Sequence, residues 1–217
     1  MILTIESCAD ISTLGLFDDE YNFLHGVSYP SRNDMAQKMF DRLNFLLGEY
    51  DKSNLSAIIT TIGPGSFTGV RIGVITAKML AIELNIPIIG VSALTATASP
   101  IINFSGIVMP IINARRKELY YKMYRDGVEI HVESSGNIMN INETLNNIKK
   151  VGEVINIIGI TNNLPEEFAE LINNHNHICF ETTPQAVLSS VKERLKNKDY
   201  DDAMTLNPIY LRSATDR

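Results

Sequence analysis

The sequence lacks most of the features that would assign it quickly. It has only two cysteines, Cys8 and Cys179, in 217 residues. That is too few for a disulfide framework, and they read as buried or idle thiols of a cytosolic protein. No apolar run reaches the ~18 residues a membrane helix needs, so no span is expected. The opening Met1-Ile2-Leu3-Thr4-Ile5-Glu6 has no basic region and soon meets an acid, which reads as a first strand rather than a signal peptide. Lys and Arg number 19 against 25 Asp and Glu, a net charge of −6. That argues against a chain that binds nucleic acid alone through a broad basic face. It leaves room for service in a complex whose other member carries RNA. None of the histidines His25, His131, His175 and His177 stands four residues from another, so a helical His-x-x-x-His metal pair is missing. No Ser–His–Asp arrangement is discernible, and His175 and His177 read as solvated loop residues.

What the sequence does have is centred on Gly63-Pro64-Gly65-Ser66-Phe67-Thr68-Gly69-Val70-Arg71-Ile72-Gly73. An apolar run, 57–62, leads in and an amphipathic run, 70–84, leads out: a strand, a glycine-rich turn and a helix. No lysine follows the glycines as in a P-loop, and the spacing is not Gly-x-Gly-x-x-Gly. Two readings stay open for the turn. Free N–H groups at the helix start would suit an anion, or the turn is simply tight and holds no ligand. Ser66 or Thr68 is positioned to cap the helix. Gly65, Gly69, Gly73, Ala77 and Ala81 recur every four residues. This small-residue stripe serves either packing on the helix's own sheet or close approach of another helix. Each glycine inside the helix costs roughly 1 kcal/mol relative to alanine, so packing must offset it.

Along the chain, 1–5, 13–17 and 22–27 read as a meander of strands. The turn between the first two holds Glu6, Ser7, Cys8 and Asp10 and is either a phosphate-facing turn or a polar hairpin. Ser31-x-x-Asp34 has the form of a helix-capping signature, followed by Met35, Met39, Leu43, Leu46 and Tyr50 at helical spacing. Later segments read as strands at 86–91, 106–112, 119–124, 130–132, 154–160 and 177–180. Helices are expected at 92–98, 142–151, 165–174 and 184–195, a loop at 134–140 and a charged, solvated link at 196–202. Two halves, each of strands followed by alternating helix and strand, suggest duplicated α/β subdomains with a cleft between them. The expected division is 1–100 and 101–217, with the tail 205–217 returning to the first half.

Several stretches resemble the TsaB (YeaZ) family. The Gly63–Gly73 motif matches nearly letter for letter, and Thr76-Ala77-Lys78 and Gly90-Val91-Ser92 continue the match. Asn113-Ala114-Arg115-Arg116-Lys117-Glu118-Leu119-Tyr120 is similar to the family's Asp-Ala-Arg-Arg-x-Glu-Val-Tyr, and Pro208-Ile209-Tyr210-Leu211-Arg212 to its C-terminal Pro-x-Tyr-Leu-Arg. The resemblance implies an actin-like ATPase fold of the ribonuclease H-like type. It also implies a cytoplasmic, non-catalytic subunit that holds TsaD, the catalytic subunit in threonylcarbamoyl transfer to the adenosine next to the tRNA anticodon. Implied partners are TsaD in a heterodimer, TsaE in a ternary complex and a second copy in isolation, with tRNA met only through the complex. No catalytic or metal-binding residue is implied, and ATP or ADP is a candidate only at the interface with TsaD. Ser7, Gly63, Pro64, Gly65 and Ser66 are the candidate phosphate loop. Met35, Met39, Leu43, Gly69, Val70, Gly73, Val74 and Lys78 are the candidate partner-binding residues. Departures from the family pattern are Cys8 for serine, Arg32-Asn33 for His-Ser, Thr61-Ile62 for Gly-Arg, Met79 for glycine and Asn113 for aspartate. A rival reading is a small-molecule kinase or ATPase of the same fold, with Glu6 or Asp10 as the acid.

Overall fold

The computed structural model describes residues 1–31, 34–48, 50–160 and 164–211. Arg32, Asn33 and Arg212, which bear on the resemblance, lie outside the described residues. Among the described residues, two five-stranded sheets are built to one plan. The first contains β1 (Ile2–Glu6), β2 (Ile11–Phe17), β3 (Phe23–Pro30), β4 (Ala57–Thr61) and β5 (Ile88–Val91), in the order β3-β2-β1-β4-β5. The second contains β6 (Ile107–Arg115), β7 (Glu118–Arg125), β8 (Val128–Gly136), β9 (Ile155–Gly159) and β10 (Asn176–Cys179), in the order β10-β9-β6-β7-β8. In each, three strands run parallel and the other two form an antiparallel meander from the central strand.

The first sheet is covered on both faces, which is why β1, β4 and β5 are buried along their whole length and mostly apolar rather than alternating. On one face, Met39, Leu43 and Leu46 of α1 (Met35–Leu47) and Ala77 and Ala81 of α2 (Phe67–Leu84) pack with Leu3, Ile5 and Ile58. On the other, Val187 and Leu188 of α6 (Pro184–Ser190) and Leu195 of α7 (Lys192–Lys196) pack with Ile2, Ile59 and Ile89. In the second sheet, α4 (Ile138–Ile148) and α5 (Ala169–Asn173) cover one face through Ile141, Leu145 and Leu171. Val108, Tyr124 and Ile158 face Ala98 and Ile101 on the other.

Contacts divide the chain into one unit of Met1–Ala96 with Thr182–Ile209, and a second of Thr97–Glu181 with the chain from Tyr210. The boundary passes through α3 (Ala93–Ala98). The first unit thus takes in α6 and α7, which a division at residue 100 assigns to the second half. The stretch 196–202 is solvated as expected except at Asp201, which clamps it to the sheet edge. The Asp201 amide donates to the Ile88 carbonyl (2.9 Å), and the Gly90 amide donates to Asp201 Oδ2 (2.7 Å). Arg194 donates to the Gly90 carbonyl and to Asp201 Oδ1. The otherwise open edge of β5 is closed in this way.

Other details depart from the sequence reading. Ser31 does not cap α1. Its hydroxyl pairs with that of Ser12 across the meander, and α1 starts after Asp34, whose backbone is left-handed and whose side chain makes no cap bond. Residues 134–140 are not a loop: β8 runs to Gly136, and Asn137 caps α4 in a reciprocal pair with Asn140. The helix expected at 184–195 is broken at Val191.

Candidate functional site

The glycine-rich turn is seated on the β1–β2 turn. The Ser7 hydroxyl donates to the Gly69 carbonyl (2.9 Å), and the Ser66 amide donates to the Cys8 carbonyl (2.7 Å). The Gly69 amide donates to Ser66 Oγ (3.3 Å), so Ser66, not Thr68, makes the cap. The helix could not sit here with larger residues. A Cβ on Gly65 would lie 2.2 Å from the Cys8 carbonyl oxygen, one on Gly69 2.0 Å from that of Ser7, and one on Gly73 2.0 Å from Ser7 Oγ. The small-residue stripe therefore serves packing on the helix's own sheet, and its glycine cost is offset there. Gly63 has φ of 108°, and a Cβ there would lie 2.5 Å from the Ile209 carbonyl oxygen, so the segment at Ile209 lies against this turn. Ile62, one of the family departures, accepts the Ile209 amide (2.6 Å).

The same bonds engage part of the candidate phosphate loop, in which Gly65 is half-buried and Ser66 exposed. Of Ser7, Gly63, Pro64, Gly65 and Ser66, the first three are buried, and the Ser7 hydroxyl and Ser66 amide are already spent on acceptors within the chain. Thr61, another departure, accepts from the buried Cys8 thiol (3.1 Å), whose pKa burial and nearby Glu6 push up. Cys179 is exposed on β10.

Beneath the same turn lies a group that sequence reasoning named only as a candidate acid. Glu6 ends β1 and is 1% exposed. Its Oε1 accepts the Cys8 amide (2.8 Å), while Oε2 is buried with no hydrogen-bond partner. Burial raises its pKa to about 7, against the lowering effect of the Cys8 and Ala9 amides. Asp10 is exposed. No group of three or more His, Cys, Asp or Glu side chains that could hold a metal ion occurs among the described residues.

Most of the candidate partner-binding residues lie inside the subunit. Met35, Met39, Leu43, Gly69, Val70, Gly73 and Val74 are all buried in the subunit. Lys78 ties down the segment 204–206, donating to the Leu206 (2.8 Å) and Met204 (3.3 Å) carbonyls. The face available to a partner is the opposite one. A helix turns about 100° per residue, so positions two residues from the glycine stripe lie about 200° away. Those positions are Phe67, Arg71, Ile75 and Met79, continued by Ile82. All five are exposed, Ile75 by 55%, Met79 by 66% and Ile82 by 52%. The Arg71 guanidinium lies over the Phe67 ring at 3.8 Å. On α1, Phe40 is 63% exposed, and Phe45 packs edge-on against His25. Met79 thus adds bulk to a surface rather than to the core.

Two sheets of this order, each with a parallel half and a meander, define an α/β protein of the actin-like, ribonuclease H-like class. Solved structures agree. YeaZ from Pseudomonas aeruginosa superposes with a TM-score of 0.74 at 19% identity, covering 97% of this chain and 99% of that one. A second structure, described as an uncharacterized protein with similarity to peptidase YEAZ from the same organism, gives 0.77 at 20% identity with the same coverage. The chain belongs to the TsaB family. It is 30% identical to the tRNA threonylcarbamoyladenosine biosynthesis protein TsaB of Bacillus subtilis (strain 168), over 98% of this chain and 94% of that protein. It is 31% identical to TsaB of Escherichia coli (strain K12) over 57% and 54% respectively. The family model TsaD, tRNA N6-adenosine threonylcarbamoyltransferase, matches residues 36–158. No helix among the described residues is long and apolar enough to cross a membrane.

Proposed function

We propose that this chain is a non-catalytic subunit that docks a TsaD-type partner, and supports threonylcarbamoyl transfer to tRNA, through the outward face of α1 and α2. The observation that carries the reading is the stripe Phe67, Ile75, Met79 and Ile82 along one face of α2, with Phe40 exposed on α1: large apolar side chains left in water at helical spacing. Large exposed apolar side chains grouped on one helix face mark an interaction surface. Its helical geometry suits helices packed across an interface. The family adds that these proteins serve tRNA threonylcarbamoyladenosine biosynthesis. The inward use of the glycine turn's bonding groups supports a structural role for it. Any ATP or ADP, TsaE and tRNA are then met in the assembly, and the same face serves a second copy when the partner is absent.

The test is light scattering of the chain with the TsaD protein of the same organism. Co-migration at micromolar concentration is expected. Ile75→Glu and Met79→Glu should abolish it while leaving stability within about 0.5 kcal/mol, as exposed positions do. Independent migration of the wild-type proteins, or unchanged binding by both variants, refutes the reading. Steady ATP hydrolysis by the isolated chain refutes its non-catalytic part.

A further inference from the structure

We propose that the tip of the β6–β7 hairpin, Arg115-Arg116-Lys117, contacts the phosphodiester backbone of the tRNA on which the assembly acts. The proposal rests on the assembly reading above, and its test separates the two. The strand register pairs Arg115 with Glu118, leaving Arg116 and Lys117 as a two-residue turn. Their φ values are 51° and 62°, and that of Arg115 is 64°. A turn with both central residues left-handed favours Asn-Gly or Asp-Gly, because side chains crowd the backbone there. The neighbouring β7–β8 hairpin uses that solution: Asp126 and Gly127, with φ of 52° and 76°. The β6–β7 tip instead places three cations where the backbone least favours them. It is the only run of three Lys or Arg residues in the sequence. Strain kept at a surface turn points to a function for the side chains that impose it.

Geometry and charge then select the ligand. All three side chains are exposed at the end of a hairpin. Small-molecule sites are concave, whereas cations carried on a projecting element suit the backbone of a large polyanion. The Asn113 side chain accepts the Arg115 amide (2.8 Å) and fixes the bulge that aims the tip. Lys117 is paired with Glu167, a carboxylate that a phosphate would displace. With a net charge of −6 on the whole chain, the contact is confined to a few phosphates and orients the RNA rather than capturing it.

The experiment measures fluorescence anisotropy of labelled tRNA transcript with the chain alone and with its TsaD partner, from 50 to 200 mM salt. Arg116→Asn with Lys117→Gly removes two charges and installs the favoured turn. Its unfolding midpoint should rise while its tRNA affinity falls. The slope of log affinity against log salt should shrink by about 1.5, roughly a tenfold smaller loss over that range. Glu167→Gln should tighten binding, and Arg116→Lys should retain it. A merely structural turn would not move affinity and stability in opposite directions. Unchanged affinity and slope in the double variant overturn the proposal. So does a wild type with no tRNA affinity in either setting. Partner association is read separately by light scattering, so its loss in the wild type refutes the assembly reading and leaves the chain-alone arm to decide this one.

Discussion

Glu6→Gln should make this protein more stable in alkali and nearly indifferent in acid. The carboxyl is buried, its Oε1 holds the Cys8 amide, and Oε2 faces no donor. Burial therefore favours the neutral acid and raises the pKa from 4.5 to about 7. The sign follows from linkage. The folded state holds its proton more tightly than the unfolded chain, so the stabilisation is fully present below pH 4.5 and is lost as pH rises through about 7. Each pH unit in that window is worth about 1.4 kcal/mol, so wild type should forfeit about 3 kcal/mol between pH 4.5 and pH 9. The groups facing Glu6 do not blur the result. Burial pushes the Cys8 thiol up and the Tyr29 phenol to about 12, so both stay neutral across the window. Glutamine keeps the oxygen that accepts from Cys8 and cannot ionise. Urea unfolding at half-unit steps from pH 4.5 to 9 should show wild-type stability falling relative to the variant's as pH rises through 7, while the lowered pKa values of the part-buried His131 and His175 act alike in both. Parallel curves would refute the account of Glu6 as a buried, incompletely bonded acid.

Other perturbations test the packing around it. Gly73→Ala meets a side-chain oxygen and Gly69→Ala a backbone carbonyl, both at 2.0 Å. Each should cost about 1–3 kcal/mol in urea unfolding, but adding Ser7→Ala should relieve only the Gly73 variant. Asp201→Ala strips the Gly90 amide of its acceptor and removes one of the three acceptors of Arg194. It should cost about 1–3 kcal/mol and promote pairing through the freed β5 edge, read as concentration-dependent light scattering. Glu153, forked onto Arg125 at 2.6 and 2.8 Å, has its pKa lowered to about 2, first by that hydrogen bond. Its contribution is present above pH 4.5 and lost as pH falls through about 2, so Glu153→Gln should flatten that acid limb in circular dichroism.

Much of the fold was legible because the parallel strands are buried on both faces and read as plain apolar runs, as at 57–61 and 155–159. What was not legible depended on partners distant in sequence. Ser31 looks like a helix cap until Ser12 is found opposite it. The stretch 196–202 gives no local sign of its clamp, because Asp201 meets Ile88 and Gly90, over a hundred residues earlier. The same contacts place α6 and α7 with the first sheet, which no local signal announces. The break at Val191 falls within a run whose helical spacing is uninterrupted in sequence.

The site shows a different limit, since the glycine stripe was present in the sequence but the rotation of the helix was not. Glycines every four residues were visible, and so was their cost. Once that stripe packs inward, the residues two positions along must point outward, and Phe67, Arg71, Ile75 and Met79 stand there at the same interval of four. The buried stripe and the exposed one are thus a single feature. Close seating of α2 on Ser7 and Cys8 fixes how the helix is rotated, and that rotation decides which side chains a partner can meet. It follows that Met39→Arg or Val74→Arg would put a charge into the core and unfold the subunit, whereas Ile75→Glu addresses association alone. A partner-binding defect in the first pair would therefore say nothing about the interface, and only the outward stripe separates docking from folding.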